Sequence, residues 1–194
     1  GGADSFALAK GLLESTEHEI CIHHVILKNS EYRDKFQLQL IDEQLNYLRQ
    51  TTREFNYVTS SFEMNHGKPG RDLSLALFMG AWSCISHHNK FHIIYTGHIR
   101  PPEVDKFQGI SVMNAVFTNT SRKPIWICPL SELNPKRSKQ EIYESIGKEG
   151  LSLTASCRRP MANGLNFKSC MNCKSCKERS SAVNKLNWSE SLVK

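Results

Sequence analysis

Four cysteines carry the clearest chemistry in this chain: Cys157, Cys170, Cys173 and Cys176, spaced C-x12-C-x2-C-x2-C. Tetrahedral zinc takes four soft donors at about 2.3 Å, and a two-residue spacer lets the backbone turn so that successive thiolates face one ion. Four protein ligands leave no open position, so such a site is structural. The same donor set also suits an iron–sulfur cluster, and unligated or disulfide-bonded cysteines are the third option. The surrounding residues are too polar to order themselves by burial, which favours a metal as the organising group. Cys21, Cys84 and Cys128 lie in apolar contexts and read as core residues.

A second constellation is Gly1-Gly2-Ala3-Asp4-Ser5, which runs into an apolar helical pattern. Glycines let backbone N–H groups approach phosphate oxygens, the helix dipole favours an anion, and Ser5 adds a hydroxyl donor. Alone, a Gly-Gly pair at a chain start carries little. Two histidine pairs complete the inventory. His23-His24 falls in a strand, where neighbours face opposite ways and cannot chelate one ion. His87-His88 ends a helix, where cationic imidazole suits the dipole. Both pairs read as structural.

These groups need elements to hold them. Phe6, Ala7, Ala9, Leu12 and Leu13 recur at helical spacing and predict a helix over Asp4 to Glu14. Glu19 to Leu27, Phe55 to Ser61, Phe91 to Thr96 and Pro124 to Pro129 read as strands, and Tyr32 to Glu54, Asp72 to His87, Gln108 to Asn119 and Lys139 to Lys148 as helices. Strands alternating with long helices predict parallel βαβ units, with ligands beyond the carboxyl ends of the strands. The expected organisation is an α/β domain over residues 1–150 and a metal-binding tail over 151–194 packed on it.

Of 194 residues, 39% are hydrophobic and 23% charged, a composition suited to one globular core. The most apolar stretch, Leu73 to Ile85, is interrupted by Ser74, Gly80 and Ser83, so no membrane span is expected. The odd cysteine count and an N-terminus unlike a signal peptide point to the reducing cytoplasm. Residues 122–194 hold 14 basic and 6 acidic side chains, a net +8, whereas residues 1–121 come to −2. Such a tail can meet the phosphates of RNA, DNA or ATP, or compensate a zinc–thiolate cluster of net charge about −2.

Several motifs then align with one family. Gly1-Gly2-Ala3-Asp4-Ser5 resembles the SGGxDS pyrophosphate loop of the PP-loop ATP pyrophosphatases, without its leading Ser. Pro69-Gly70-Arg71-Asp72-Leu73 resembles the PGRN turn of the 7-cyano-7-deazaguanine synthase (QueC) family, with Asp72 for the usual Asn. The strand Phe91 to Thr96 ending at Gly97, and Pro129-Leu130 followed by Lys136 or Lys139, resemble that family's strand–glycine and P-L-x-x-x-x-K regions. Thr154-Ala155-Ser156-Cys157 and Cys170-x2-Cys173-x2-Cys176-x2-Arg179 resemble its T-x-S-C and C-x-x-C-x-x-C-x-x-R. The motifs are collinear over nearly the whole chain.

The resemblance implies a Rossmann-like parallel sheet of the adenine nucleotide α-hydrolase type with a C-terminal zinc-binding tail, and a homodimer. The strand that precedes the pyrophosphate loop in that fold is absent from the sequence. Members of that family use ATP to adenylate 7-carboxy-7-deazaguanine, let ammonia displace AMP, and dehydrate the amide to a nitrile. The implied cofactors are a structural Zn²⁺ and, with ATP, Mg²⁺. Gly1, Gly2, Asp4, Ser5 and Gly97 would hold the nucleotide, and Asp4, Ser5 and Arg71 would serve the reaction. The family's base-recognition stretch D-x-S-G-Y-P-D-C-R has no counterpart: His98 to Phe107 stands there, with Glu103 or Asp105 either accepting from a planar base or simply solvated. Alternatives are a PP-loop enzyme modifying tRNA, a zinc module binding nucleic acid without catalysis, and a divergent member serving antiviral defence.

Overall fold

Helix α1 (Ala3–Ser15) opens the fold in the computed structural model, which describes residues 2–28, 33–63, 76, 79–80, 82–83, 93–97, 125–127, 138–157, 159–164 and 166–192. Strand β1 (Cys21–Lys28) follows, then the long helix α2 (Arg33–Thr51) and strand β2 (Asn56–Glu63). β1 and β2 pair in parallel, from Cys21 opposite Asn56 to Lys28 opposite Glu63. A parallel pair needs a crossover connection, and the 19 residues of α2 supply it.

Of the helix expected from Asp72 to His87, Ala76, Met79, Gly80, Trp82 and Ser83 are described, and all are helical. A Cβ built at Gly80 would lie 2.6 Å from Val25 Cγ2 and 3.2 Å from His23 Cε1, so this segment rests directly on β1. Strands β3 (Ile93–Tyr95) and β4 (Ile125–Ile127) form a second parallel pair. Among the described residues the chain is therefore a mixture of helices with small parallel sheets of two strands each. The helix expected over 108–119 lies outside the described residues.

Helix α3 (Lys139–Ser152) begins with a full capping box: the Ser138 hydroxyl accepts from the Glu141 amide, and the Glu141 carboxylate accepts from the Ser138 amide. It runs four residues beyond the expected end, past a break at Gly147, whose φ of +71° suits glycine. The main core joins Phe6, Ala7 and Leu13 of α1 with Ile142, Tyr143, Ile146 and Leu151 of α3. Gly150 makes that approach possible, since a Cβ there would sit 3.0 Å from Phe6 Cε1.

Beyond residue 152 the chain is more ordered than its polarity suggests. Strands β5 (Met161–Asn163) and β6 (Asn166–Lys168) form an antiparallel hairpin, turning at Gly164 with φ +63°. Helix α4 (Lys174–Lys185) then sends Ala182 and Val183 into the main core. A 3₁₀ turn over Glu190–Leu192 completes the described chain. No helix among the described residues is long and apolar enough to cross a membrane.

Candidate metal centre and anion site

The four cysteines of the sequence motif converge. The Sγ atoms of Cys157, Cys170, Cys173 and Cys176 all lie within 4.8 Å of one another, and all four residues are free thiols rather than disulfides. Cys173 and Cys176, the pair joined by a hydrogen bond, are 3.5 Å apart at sulfur. A tetrahedron with bonds of about 2.3 Å has edges of about 3.8 Å, so these separations fit one ion such as zinc. A multi-iron cluster places its cysteines on different irons and needs a wider cage.

Local backbone geometry sets up the donors. The amides of Arg159 and Cys170 both donate to Cys157 Sγ, and the Cys173 amide donates to Cys170 Sγ, each at 3.3 Å. These bonds favour thiolate over thiol. Burial acts the other way and pushes the thiols of Cys157 and Cys176 up, with the Cys170 amide partly offsetting it at Cys157. A bound dication reverses that balance, because thiolates next to it are stabilised outright. Cys173 caps α4 and Cys176 lies in its first turn, where the helix dipole adds to the same effect.

The centre is packed rather than appended. Phe36 and Leu40 of α2, Ala155 and Phe167 surround the buried cysteines. Gln39 holds β6 in place by accepting from the Phe167 amide at 2.6 Å and donating to its carbonyl at 3.2 Å. Gln44, one helical turn further on, donates to the Leu153 carbonyl at 2.6 Å.

Arg179 lies one turn beyond Cys176 and is only 1% exposed. It donates to the carbonyls of Leu192 and Leu151 at 2.9 and 2.6 Å, and to the hydroxyls of Thr154 and Ser156 at 2.9 and 3.3 Å, while its guanidinium lies 5.9 Å from the Tyr143 ring centre. Burial lowers its pKa, and the neighbouring Tyr143 and Cys176 act in the opposite direction. Burial likewise pushes the Tyr143 hydroxyl up to about 12, against the pull of the same guanidinium. A buried cation beside a four-thiolate site of net charge about −2 is the compensation such a site requires.

The second site forms at the amino end of α1. Gly2 is the N-cap and brings no capping side chain. Gly97, just past β3, is packed so tightly against this turn that a Cβ there would lie 2.9 Å from both Ser5 Cα and Ser5 N and 3.0 Å from the Asp4 carbonyl carbon. The structure thus brings Gly97, at the carboxyl end of a parallel strand, onto Asp4 and Ser5. Lys139 joins them, its ammonium 2.6 Å from each Asp4 carboxylate oxygen. A Cβ at Gly2 would lie 3.6 Å from the Ala155 carbonyl, so the segment leading to Cys157 borders this turn as well.

Of the other expected site residues, Gly1 and Arg71 lie outside the described residues, as do Glu103, Asp105, His87 and His88. Lys136 lies outside them too, whereas Lys139 is placed on Asp4. His23 and His24 face different partners: His23 Nε2 is 2.8 Å from Ser60 Oγ, and His24 Nδ1 is 3.3 Å from the Tyr57 hydroxyl. They do not converge on one point, as their strand positions imply. Gln39 and Gln44 belong to no motif, and their place on α2 is their one sequence signal.

No family model matches the chain, and no curated protein or solved structure shows significant similarity to it.

Proposed function

We propose that this chain is an ATP-dependent, QueC-like ligase that adenylates a carboxylate, 7-carboxy-7-deazaguanine or a related acid, and passes it through the amide towards a nitrile. The observation that carries this reading is the contact of Gly97 with Asp4 and Ser5 at the amino end of α1. A glycine-lined helix start at the carboxyl end of a parallel strand is where an open α/β sheet receives phosphates. The PP-loop resemblance of residues 1 to 5 names the same place from sequence.

In this reading Ser5 and the first-turn amides receive the pyrophosphate portion of ATP. Asp4 holds Lys139 at the rim, where the ammonium offsets charge that grows on the leaving pyrophosphate. Mg²⁺, held with the triphosphate near Asp4, would supply further charge neutralisation. Ammonia needs no protein nucleophile, because adenylation already activates the carboxyl carbon. The cysteine centre takes Zn²⁺ and fixes the segment 154–157 against Gly2. A homodimer with one Rossmann-like sheet follows from the same resemblance, and a reducing, cytoplasmic setting from the cysteine usage.

Incubation with ATP, Mg²⁺, ammonium and 7-carboxy-7-deazaguanine tests it. Release of AMP and pyrophosphate supports adenylation, whereas ADP and phosphate would indicate a kinase-type reaction and overturn it. Calorimetry with ATP alone separates a wrong acid from a wrong site: ATP binding without turnover faults only the acid, and no ATP binding faults the site.

A further inference from the structure

The exposed face of α4 is not used by either site. Lys177, Ser180, Ser181, Asn184 and Lys185, with Met171 from the cysteine loop, line an open groove of about 610 Å³. Lys177, Ser181, Asn184 and Lys185 are all exposed, and Met171 is 52% exposed. Among the described residues no acidic side chain lines the groove. Neither lysine enters an ion pair among the described residues; Glu178, the acidic residue on this helix, lies 4.0 Å from Lys174 instead.

The basic charge here is exposed to solvent rather than buried beside the cysteine centre. Arg179, buried on the opposite side of the same helix and next to Cys176, already supplies a compensating cation. Lys177 and Lys185, exposed and outside any ion pair among the described residues, are accessible to an outside partner. They are eight residues apart, about 12 Å along the helix axis, and between them lie two hydroxyls and an amide that can hydrogen-bond phosphate or ribose. Met171 adds an exposed, polarisable apolar surface to the same lining, of the adaptable kind used at promiscuous binding surfaces. A duplex keeps its base faces stacked inside, while a single strand can offer one.

We propose that this groove binds the backbone of single-stranded RNA, with Lys177 and Lys185 on phosphates and Met171 against an unstacked base. The surface is distinct from the nucleotide site proposed above and does not depend on it.

The test is fluorescence anisotropy of the full, metal-loaded chain with a labelled 15-nucleotide single-stranded RNA, without ATP, from 50 to 300 mM KCl. Two phosphate contacts give a log–log salt slope of about −1.4. The double variant Lys177→Glu/Lys185→Glu is expected to lose at least tenfold in affinity while keeping its metal content and circular dichroism. Met171→Ser is expected to lose about threefold with the slope unchanged. Lys28→Glu, at the exposed end of β1, serves as the charge control and is expected to stay within twofold of the parent chain. No binding at 50 mM KCl overturns the proposal. So does equal loss in the control and the double variant, or competition by poly-glutamate as effective as by unlabelled RNA, which would make the groove a site for acidic protein.

Discussion

Lys139 contacts both carboxylate oxygens of Asp4 at 2.6 Å across 135 residues of sequence. Each residue is the first or second of its helix, α3 and α1 respectively. An acid in a first turn complements the helix dipole, but a lysine there opposes its own, so the pair exists despite α3 and not because of it. With both side chains about one third exposed, the ion pair contributes about 1 kcal/mol at most to stability. Lys139→Met is therefore expected to shift the urea midpoint only slightly while weakening ATP binding tenfold or more. A large loss of stability with unchanged ATP affinity would make the pair a structural clamp.

Gly97 and Gly11 give opposite expectations for the same substitution. Gly97→Ala drives a Cβ to 2.9 Å of the Ser5 backbone, which cannot move as a side-chain end can. It should cost about 1–3 kcal/mol and displace the helix start, lowering ATP affinity. Gly11 lies inside α1 with nothing within 4 Å of its built Cβ. Gly11→Ala should stabilise the protein by about 1 kcal/mol and leave binding alone. Urea titrations of the two variants, with calorimetry, check both signs.

One metal per chain is expected at the cysteine centre, measurable by elemental analysis. Cys173→Ser removes a ligand while leaving a hydroxyl suited to the N-cap of α4, and should release the metal on mild chelation. The hairpin β5–β6 and α4 are expected to lose amide protection first, since metal binding of this kind contributes on the order of 10 kcal/mol to folding. Retention of tight stoichiometric metal in the variant would exclude Cys173 as a ligand.

The cysteine centre was legible because its determinants are local: spacers of two residues fix how three thiolates turn together. Helix α4 was not, although its buried residues Cys176, Arg179, Ala182 and Val183 recur at helical spacing. One of those four is an arginine and another a cysteine that the metal motif already claims, so the segment reads as polar tail. The β5–β6 hairpin is hidden for a related reason, since each strand has three residues and only Phe167 among them is less than exposed. Only Asn163-Gly164 marks its turn. The juxtaposition of Asp4, Gly97 and Lys139 depends on packing between remote segments, and no local pattern encodes it.

His24 gives a pH dependence with a definite sign. Burial, reinforced by the charge of His23, lowers its pKa from 6.5 to about 4. The unfolded chain thus binds a proton between these values that the folded chain does not. Stability contributed by neutral His24 is complete above pH 6.5 and is lost as pH falls towards 4. Cysteine protonation weakens the metal centre over an overlapping range, so the comparison must be internal. The stability difference between the parent chain and His24→Asn, from urea denaturation at pH 7.5 and pH 5, should change by about 1–2 kcal/mol in favour of the variant at the lower pH. An unchanged difference would place the titration elsewhere.

Arg179 ties three elements to the cysteine centre, and its replacement should show that no other cation can. Lysine at this position carries the charge but cannot donate simultaneously to the Leu151 and Leu192 carbonyls and to the Thr154 and Ser156 hydroxyls. Arg179→Lys is expected to cost about 3 kcal/mol, by leaving buried acceptors unsatisfied. Arg179→Met removes the compensating charge too and should cost more, and should lower the affinity of the centre for its metal by reducing the positive field at Cys176. The order wild type, Lys, Met in both urea midpoint and chelator resistance is the expected result. If metal retention were the same in all three while stability fell, Arg179 would act through its hydrogen bonds alone, and the charge-compensation argument would fail.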